Sequence, residues 1–361
     1  MRCNCCYVPN LRFSEFDYFW LPTTLSSICS FRKKRKSSIK KFYVSTENIL
    51  QNYKGIEQYN SNEVISGVEF LTGDILMANI RPYLKKVYMA EFDGVSNSDV
   101  LIFKSDMVDS NFLHCILAND NFINYVMNSV KGSKMPRGDK IHIMNYHLSI
   151  PKAKEQEKIA KFIDLINQRI DTQSKIIEKY ESLIKAISNK LFFNITNRVN
   201  LSEICSITTG KLDANQMDEN GIYPFFTCGK ETLKINKYAF DCEAILISGN
   251  GDIGRTKYYN GKFNAYQRTY ILYNFKGSPI FIKYAIDYAL PKKVKEETQI
   301  SAMPYIKMGT LSELSIPYPD IHIQIEDVQI LNTLQTKINV EKEILEKLKE
   351  QKKYLLSNMF I

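Results

Sequence analysis

The stretch IAKFIDLINQRIDTQSKIIEKYESLIKAISNKL, running from Ile159 to Leu191, sets its apolar residues in alternating steps of four and three. These are Ile159, Ile163, Ile166, Ile170, Ile177, Tyr180, Ile184, Ile187 and Leu191, interrupted only at Gln173. The rhythm is a heptad seam and predicts one long helix. Neither proline nor glycine falls inside it, and Pro151 stands at its entrance, where a fixed φ suits a helix start. A second seam follows the same rule through Leu331, Leu334, Ile338, Leu345, Leu348, Leu355 and Met359, with Glu341 and Lys352 at the polar breaks and Pro319 before it. At 1.5 Å per residue the first seam is about 50 Å long. So long a seam outruns a small globule, so the two helices are expected to pair, antiparallel because the first leads directly into the sequence between them. Each helix packed on its own globule is the alternative.

Around the seams the chain repeats itself. Leu25-Ser26-Ser27-Ile28-Cys29-Ser30 returns as Leu201-Ser202-Glu203-Ile204-Cys205-Ser206, and Gly73-Asp74-Ile75-Leu76 has a counterpart in Cys242-Glu243-Ala244-Ile245-Leu246. Met135-Pro136 matches Met303-Pro304, Leu148-Ser149-Ile150-Pro151 matches Leu314-Ser315-Ile316-Pro317, and Ser188-Asn189-Lys190-Leu191-Phe192 matches Ser357-Asn358-Met359-Phe360. An ordered series at nearly constant spacing indicates a duplicated unit with small loop insertions. Within each unit, short apolar runs such as Ile75-Leu76-Met77, Val100-Leu101-Ile102-Phe103, Ala244-Ile245-Leu246-Ile247 and Tyr270-Ile271-Leu272-Tyr273 read as strands. Residues 110–130 and 279–289 read as helices. The expected fold class is α/β, with two similar mixed α/β globules, 1–150 and 195–318, separated by long helices, 151–194 and 319–361, that form an antiparallel coiled coil.

The 361 residues, 44% of them hydrophobic, suit about two cored domains. Lysine and arginine number 48 against 39 acids, a net charge of +9 that leans weakly toward an anionic partner. The uncharged run near the N-terminus is too short for a membrane span and contains Pro22, and no secretory h-region follows Met1, so a cytoplasmic chain with reduced thiols and no membrane partner is expected. Eight cysteines in such a length are no disulfide framework, and Cys3 to Cys6 is a CxxC without a second pair. No metal site is expected.

Catalytic signatures are missing. The sequence holds no phosphate-loop lysine motif, no HExxH and no GxSxG, and its four histidines lack metal-ligand spacing. Gly249-Asn250-Gly251-Asp252-Ile253-Gly254 is a literal GxGxxG, yet Arg255 to Gly261 after it reads as strand and turn, so it is expected to be a glycine-rich hairpin rather than a dinucleotide loop. Material for binding phosphates is richer. Arg32, Lys33, Lys34, Arg35 and Lys36, followed by Lys40 and Lys41, concentrate cations beside Ser37 and Ser38. Arg81, Lys85 and Lys86 follow one strand, Arg255, Lys257 and Arg268 follow its counterpart, and Lys131, Lys134 and Arg137 surround a Gly/Ser turn. Asn79, Asn250, Asn264 and Gln267 are amides of the kind that read adenine edges.

The alternation of globule and helix resembles the specificity subunit of type I restriction-modification enzymes over nearly the whole chain. Val8-Pro9-Asn10-Leu11-Arg12-Phe13, Phe42-Tyr43-Val44-Ser45-Thr46-Glu47-Asn48, the run from Gly73 to Leu84, and Ser149-Ile150-Pro151 leading to Glu155-Gln156-Glu157-Lys158-Ile159-Ala160 carry the likeness. The second junction has Gln324, but Ile323 stands where that family usually has glutamate. The resemblance implies a subunit without a catalytic centre or cofactor of its own. It implies two target recognition domains on a bipartite double-stranded DNA site, with methyltransferase subunits using S-adenosylmethionine and, through them, restriction subunits using ATP and magnesium. A coiled-coil scaffold with two protein-binding globules, or the recognition half of a single-chain methyltransferase or nuclease, are the rivals.

Overall fold

The duplication in the sequence is a duplication of structure. A computed structural model describes residues 8–33, 35–38, 42–57, 65–132, 134–298 and 305–360. It folds as two units, Met1–Ser174 with Ile344–Ile361, and Lys175–Glu343. Each unit therefore takes part of each long helix, and the helices do not stand apart from the globules as separate bodies.

In unit 1 the chain runs through β1 (Leu21–Thr24), α1 (Leu25–Ile28), β2 (Cys29–Phe31), β3 (Arg35–Ser38), β4 (Phe42–Val44), β5 (Ile65–Phe70), β6 (Ile75–Ala78), β7 (Val87–Met89), β8 (Gly94–Ser96) and β9 (Val100–Ser105). It continues through α2 (Ser110–Leu117), α3 (Asp120–Met127), α4 (Lys140–Met144), β10 (His147–Ile150) and the start of α5 (Ala153–Phe193). The sheets are β2-β9-β6-β7, β3-β5-β8-β4 and the ladder β1-β10. All four residues of β6 are buried, as expected of a central strand covered on both faces. The helical reading of 110–130 proves to be two helices. Asn119 breaks it because its side chain accepts from the Asn121 N–H as a cap and donates to the Leu356 carbonyl at 2.9 Å, spending its amide where an uninterrupted helix would not need it.

Unit 2 holds the remainder of α5, then β11 (Arg198–Asn200), α6 (Leu201–Ile204), β12 (Ser206–Thr209), β13 (Tyr223–Phe226), β14 (Leu233–Ile235), β15 (Phe240–Ser248), β16 (Thr256–Ala265) and β17 (Thr269–Tyr273). After these come α7 (Pro279–Thr298), α8 (Met308–Ser312), β18 (Ser315–Pro317) and the start of α9 (Ile321–Asn358). Here one sheet, β12-β17-β15-β16-β13-β14, does the work of two, because the hairpin β15-β16 runs on where unit 1 is interrupted between Phe70 and Ile75. The GxGxxG is the turn of that hairpin, closed by Ser248 N–H to the Arg255 carbonyl at 3.0 Å and Gly254 N–H to the Ser248 carbonyl at 2.9 Å. The helix begun at Pro279 passes Pro291 and ends at Thr298, longer than its sequence pattern implies.

The first seam is helical over its whole length, and the second up to Leu355, with Met359 just past the end of α9. Every apolar residue assigned to them is buried or half-buried, and Gln173 in the first is buried as well. In unit 1 the first turns of α5, through Ile159 and Ile163, share a core with the last turns of α9, through Leu355 and Leu356, and with Met359 just after them. In unit 2 the last turns of α5, through Ile184, Ile187, Leu191 and Phe192, share a core with Leu331 near the start of α9. Beginning meets end in both units, so the pairing is antiparallel, and each helix end also packs on its own globule.

The junction into the helices corrects one equivalence drawn from sequence. Gln156 donates to the Pro151 carbonyl at 2.9 Å, and Gln324 donates to the Pro319 carbonyl at 2.8 Å. Leu25 N–H bonds the Tyr146 carbonyl just as Leu201 N–H bonds the Leu314 carbonyl. Pro151 therefore corresponds to Pro319, and Leu148 to Ile316, two residues away from the match suggested by the shared Leu-Ser-Ile-Pro. Apolar alternation in a short strand permits a slip of two residues without moving any side chain to the other face, which is why the sequence alone favoured the wrong register.

Candidate nucleic-acid interface

In unit 1 the loop that leaves β6 is tied down at many points. Arg81 N–H bonds the Pro136 carbonyl at 2.9 Å, and Ile80 and Lys131 each pair with Arg137 through isolated bridges. Between Arg81 and Lys85 lies a tight turn, Pro82–Leu84, flanked by two residues in the left-handed region, Arg81 at φ 57° and Lys85 at φ 55°. Non-glycine residues enter that region at a cost, and they persist where the surroundings over-determine them. The surroundings do so here. Lys85 Nζ reaches Asp120 at 2.7 Å, Lys86 Nζ reaches the Thr46 carbonyl at 2.7 Å, and the Leu84 and Lys85 carbonyls accept from Asn52 and Tyr53 N–H. Lys85 and Lys86 thus serve as anchors for the loop, while the Arg81 side chain is exposed and meets no partner among the described residues.

The second wall of this site is formed by residues 131–132 and 134–139. Arg137, 58% exposed, pairs with Asp99 at 3.1 Å, and Lys131 pairs with Asp139 at 2.6 Å. Lys134 is exposed. Asn79 is 8% exposed, with an Oδ1 that meets no donor, beside the buried Gly138. Asp139 caps α4 by accepting from Ile141 N–H at 2.9 Å and His142 N–H at 3.2 Å. The Lys131 hydrogen bond above all, and these two backbone bonds after it, bring its pKa down to about 2. With the folded value below the unfolded one, its contribution to stability is complete above the ordinary carboxylate range and disappears as pH falls through about 2. An NMR titration of the Asp139 carboxyl is expected to show a midpoint near 2, moving up toward about 3.9 in Lys131→Ala. An unchanged midpoint would rule out the lysine as its cause.

The basic run near β3 divides. Arg32 is consumed by a two-pronged ion pair with the buried Asp74, Nε to Oδ2 at 2.8 Å and Nη2 to Oδ1 at 3.1 Å, which braces the chain between β5 and β6. Lys33 is exposed. The backbones of Arg35 and Lys36 pair with Val68 and Gly67. Lys34, Lys40 and Lys41 lie outside the described residues, as do Cys3, Cys6, Met303 and Pro304.

Unit 2 builds its site from the β15-β16 turn. Gly249 N–H bonds the Arg268 carbonyl at 2.9 Å, and Ile306 N–H bonds the Gly249 carbonyl at 2.9 Å. Arg268 is exposed and Asn250 half-buried in this turn. Arg255 instead folds back onto the Gly229 and Lys230 carbonyls and lies 3.2 Å from Asp252. Lys257 lies over the Phe226 ring at 5.0 Å and bonds Thr232, and burial lowers its pKa. Asn264 and Gln267 are also committed, to the Lys237 carbonyl and to Asp213. The matching hydrogen bonds correct the expectation that Arg255 stands where Arg81 does. Asn79 N–H to the Asp99 carbonyl in unit 1 answers to Gly249 N–H to the Arg268 carbonyl, and Gly138 N–H to Asn79 answers to Ile306 N–H to Gly249. The position of Arg81 is therefore that of Gly251, which has the same left-handed backbone at φ 64°.

Sequence reasoning missed a buried cluster at the entrance to α5. Glu155, 1% exposed, accepts from Arg12 Nε and Nη2 at 2.7 Å each and from Trp20 Nε1 at 3.3 Å. These bonds raise the Arg12 pKa. Arg12 and Glu155 both lie in stretches that carry the family resemblance, and the lone tryptophan of the chain, too large to be buried without a partner for its N–H, was a further signal.

Comparison with known proteins places this architecture. The family model of the type I restriction modification DNA specificity domain matches residues 10–182 and again 196–350. The specificity subunit of the type I restriction enzyme EcoDI of Escherichia coli is 41% identical over 154 residues, 42% of this chain and 33% of the relative, so the match spans one third of that protein. The MpnII specificity subunit of Mycoplasma pneumoniae is 29% identical over 139 residues, 36% of this chain and 41% of the relative. A crystal structure of the type I restriction-modification system S subunit from M. genitalium superposes with a TM-score of 0.60 at 18% identity, covering 98% of this chain and 99% of that one, a likeness of fold.

Proposed function

The chain belongs to the family of the type I restriction modification DNA specificity domain, and from that premise we propose that it is the sequence-recognition subunit of such a system. Each unit reads one half of a bipartite double-stranded DNA target, and α5 and α9 space the two readings. The chain performs no chemistry of its own. Methyltransferase subunits dock on it and bring S-adenosylmethionine; restriction subunits join through that complex and bring ATP and magnesium, all within the cytoplasm. Among the described residues no helix is long and apolar enough to cross a membrane.

The observation that carries this reading is the duplication itself, with an exposed arginine on the strand-end loops of both units, Arg81 in one and Arg268 in the other. Salt separates it from a protein-binding scaffold. Purified chain with its methyltransferase subunit is expected to lose about 1,000-fold or more in duplex affinity between 50 and 200 mM salt, because phosphate contacts release counterions. Methylome sequencing of the host with and without the gene is expected to show one split motif losing its methylation. An unaltered methylome, with the methyltransferase subunit expressed, would end the proposal.

A further inference from the structure

The equivalences set by hydrogen bonding define three matched positions on the two sites. Unit 1 places Arg81, Asp99 and Arg137 there, and unit 2 places Gly251, Arg268 and Tyr305. In unit 1 the Asp99 carboxylate pairs with Arg137 at 3.1 Å, so that of the two arginines at these three positions Arg81 is the one without an acid among the described residues. In unit 2 the acid's position is itself an arginine, flanked by a glycine and by Tyr305, 49% exposed. Among the described residues each triad thus presents one uncommitted guanidinium, from a different corner. Arg255, the other arginine of the unit 2 turn, is occupied by backbone carbonyls.

Resting on the DNA-specificity reading above, we infer that Arg81 and Arg268 are the base-reading residues of this chain, each contacting the O6 and N7 edge of one guanine in its own half-site. A planar fork of N–H donors meets both acceptors of that edge in a pre-organised geometry, which the flexible, strongly hydrated ammonium of a lysine lacks. The left-handed backbone of Arg81 supports the assignment. Gly251 holds the same conformation without strain, so a bulky residue at this place in unit 1 works against its own backbone, as functional side chains do where a rigid loop aims them. The backbone of this turn is held by the Arg81 N–H bond to the Pro136 carbonyl and by Lys85 on Asp120.

Selection of duplexes from a randomised library by the full chain with its methyltransferase subunit tests this. Wild type is expected to select a two-part motif with a guanine in each half. R81G keeps the backbone conformation without strain, so its melting temperature should equal or exceed that of wild type. It should nonetheless lose roughly 10- to 100-fold discrimination at one guanine in one half, with the other half unchanged. R268Q should do the same in the opposite half, and R81K should recover only part of the discrimination that R81G loses. A motif lacking guanine in either half, an R81G chain that selects the wild-type motif, or R81K indistinguishable from wild type would overturn the assignment while leaving two-part recognition standing. A wild-type chain that selects no two-part motif would overturn the specificity reading beneath it.

Discussion

Glu155→Ala is expected to destabilise unit 1 by about 3–5 kcal/mol, the usual cost of removing one partner from a buried ion pair. The carboxylate is 1% exposed and takes both prongs of Arg12 at 2.7 Å as well as the Trp20 N–H at 3.3 Å. Its loss leaves an Arg12 side chain 11% exposed with only the more weakly acting Asp17 as countercharge, and an indole N–H without the acceptor it has here. Coulombic attraction between an exposed pair would be worth under about 1 kcal/mol, so burial decides the size of this effect. Trp20 is the chain's one tryptophan and lies in unit 1, so its fluorescence during urea unfolding follows that unit. Ile323 occupies the matching place in α9 and is 45% exposed, so Ile323→Ala should be nearly neutral. A change below about 1 kcal/mol in Glu155→Ala would show that the cluster is not the clasp it is taken for.

Gln324→Ala should cost unit 2 about 2–4 kcal/mol. The amide, 1% exposed, accepts from Ser278 N–H at 3.0 Å and donates to the Pro319 carbonyl at 2.8 Å, so truncation orphans a backbone donor and a backbone acceptor together. Each unpaired group costs about 1–3 kcal/mol when kept from water. Gln156 does the same in unit 1, between Asp109 N–H and the Pro151 carbonyl, and predicts a comparable loss. Hydrogen exchange gives the direct readout: the Ser278 amide should lose its protection in Gln324→Ala, and undiminished protection would mean that another acceptor replaces the glutamine.

The contrast between these two clasps explains how much of the molecule was legible. Gln156 and Gln324 recur at one spacing from a proline, and the resemblance of the first junction to a known family already rested on that segment. Arg12 and Glu155 are 143 residues apart, and no local pattern links them. The same divide runs through the candidate site. Arg32, Lys85, Lys86, Arg255 and Lys257 looked equal in sequence to Arg81 and Arg268, because composition registers a cation without registering its partner. Asp74, Asp120, the Thr46 carbonyl, the Gly229 and Lys230 carbonyls and the Phe226 ring claim the first five.

By itself the sequence determined the two long helices, their pairing, the doubled unit and the glycine hairpin after β15. Each is written in a short period or a turn residue, and helical and strand periodicities act between residues a few positions apart. Only the tertiary structure decided that Pro151 answers to Pro319, that Arg81 answers to Gly251, and that the two units expose their arginines from different corners of one framework. Strand pairing brings those residues together across tens of positions, and a charge is committed or left exposed according to what lies within about 4 Å of it, a distance set by the packing of the whole unit.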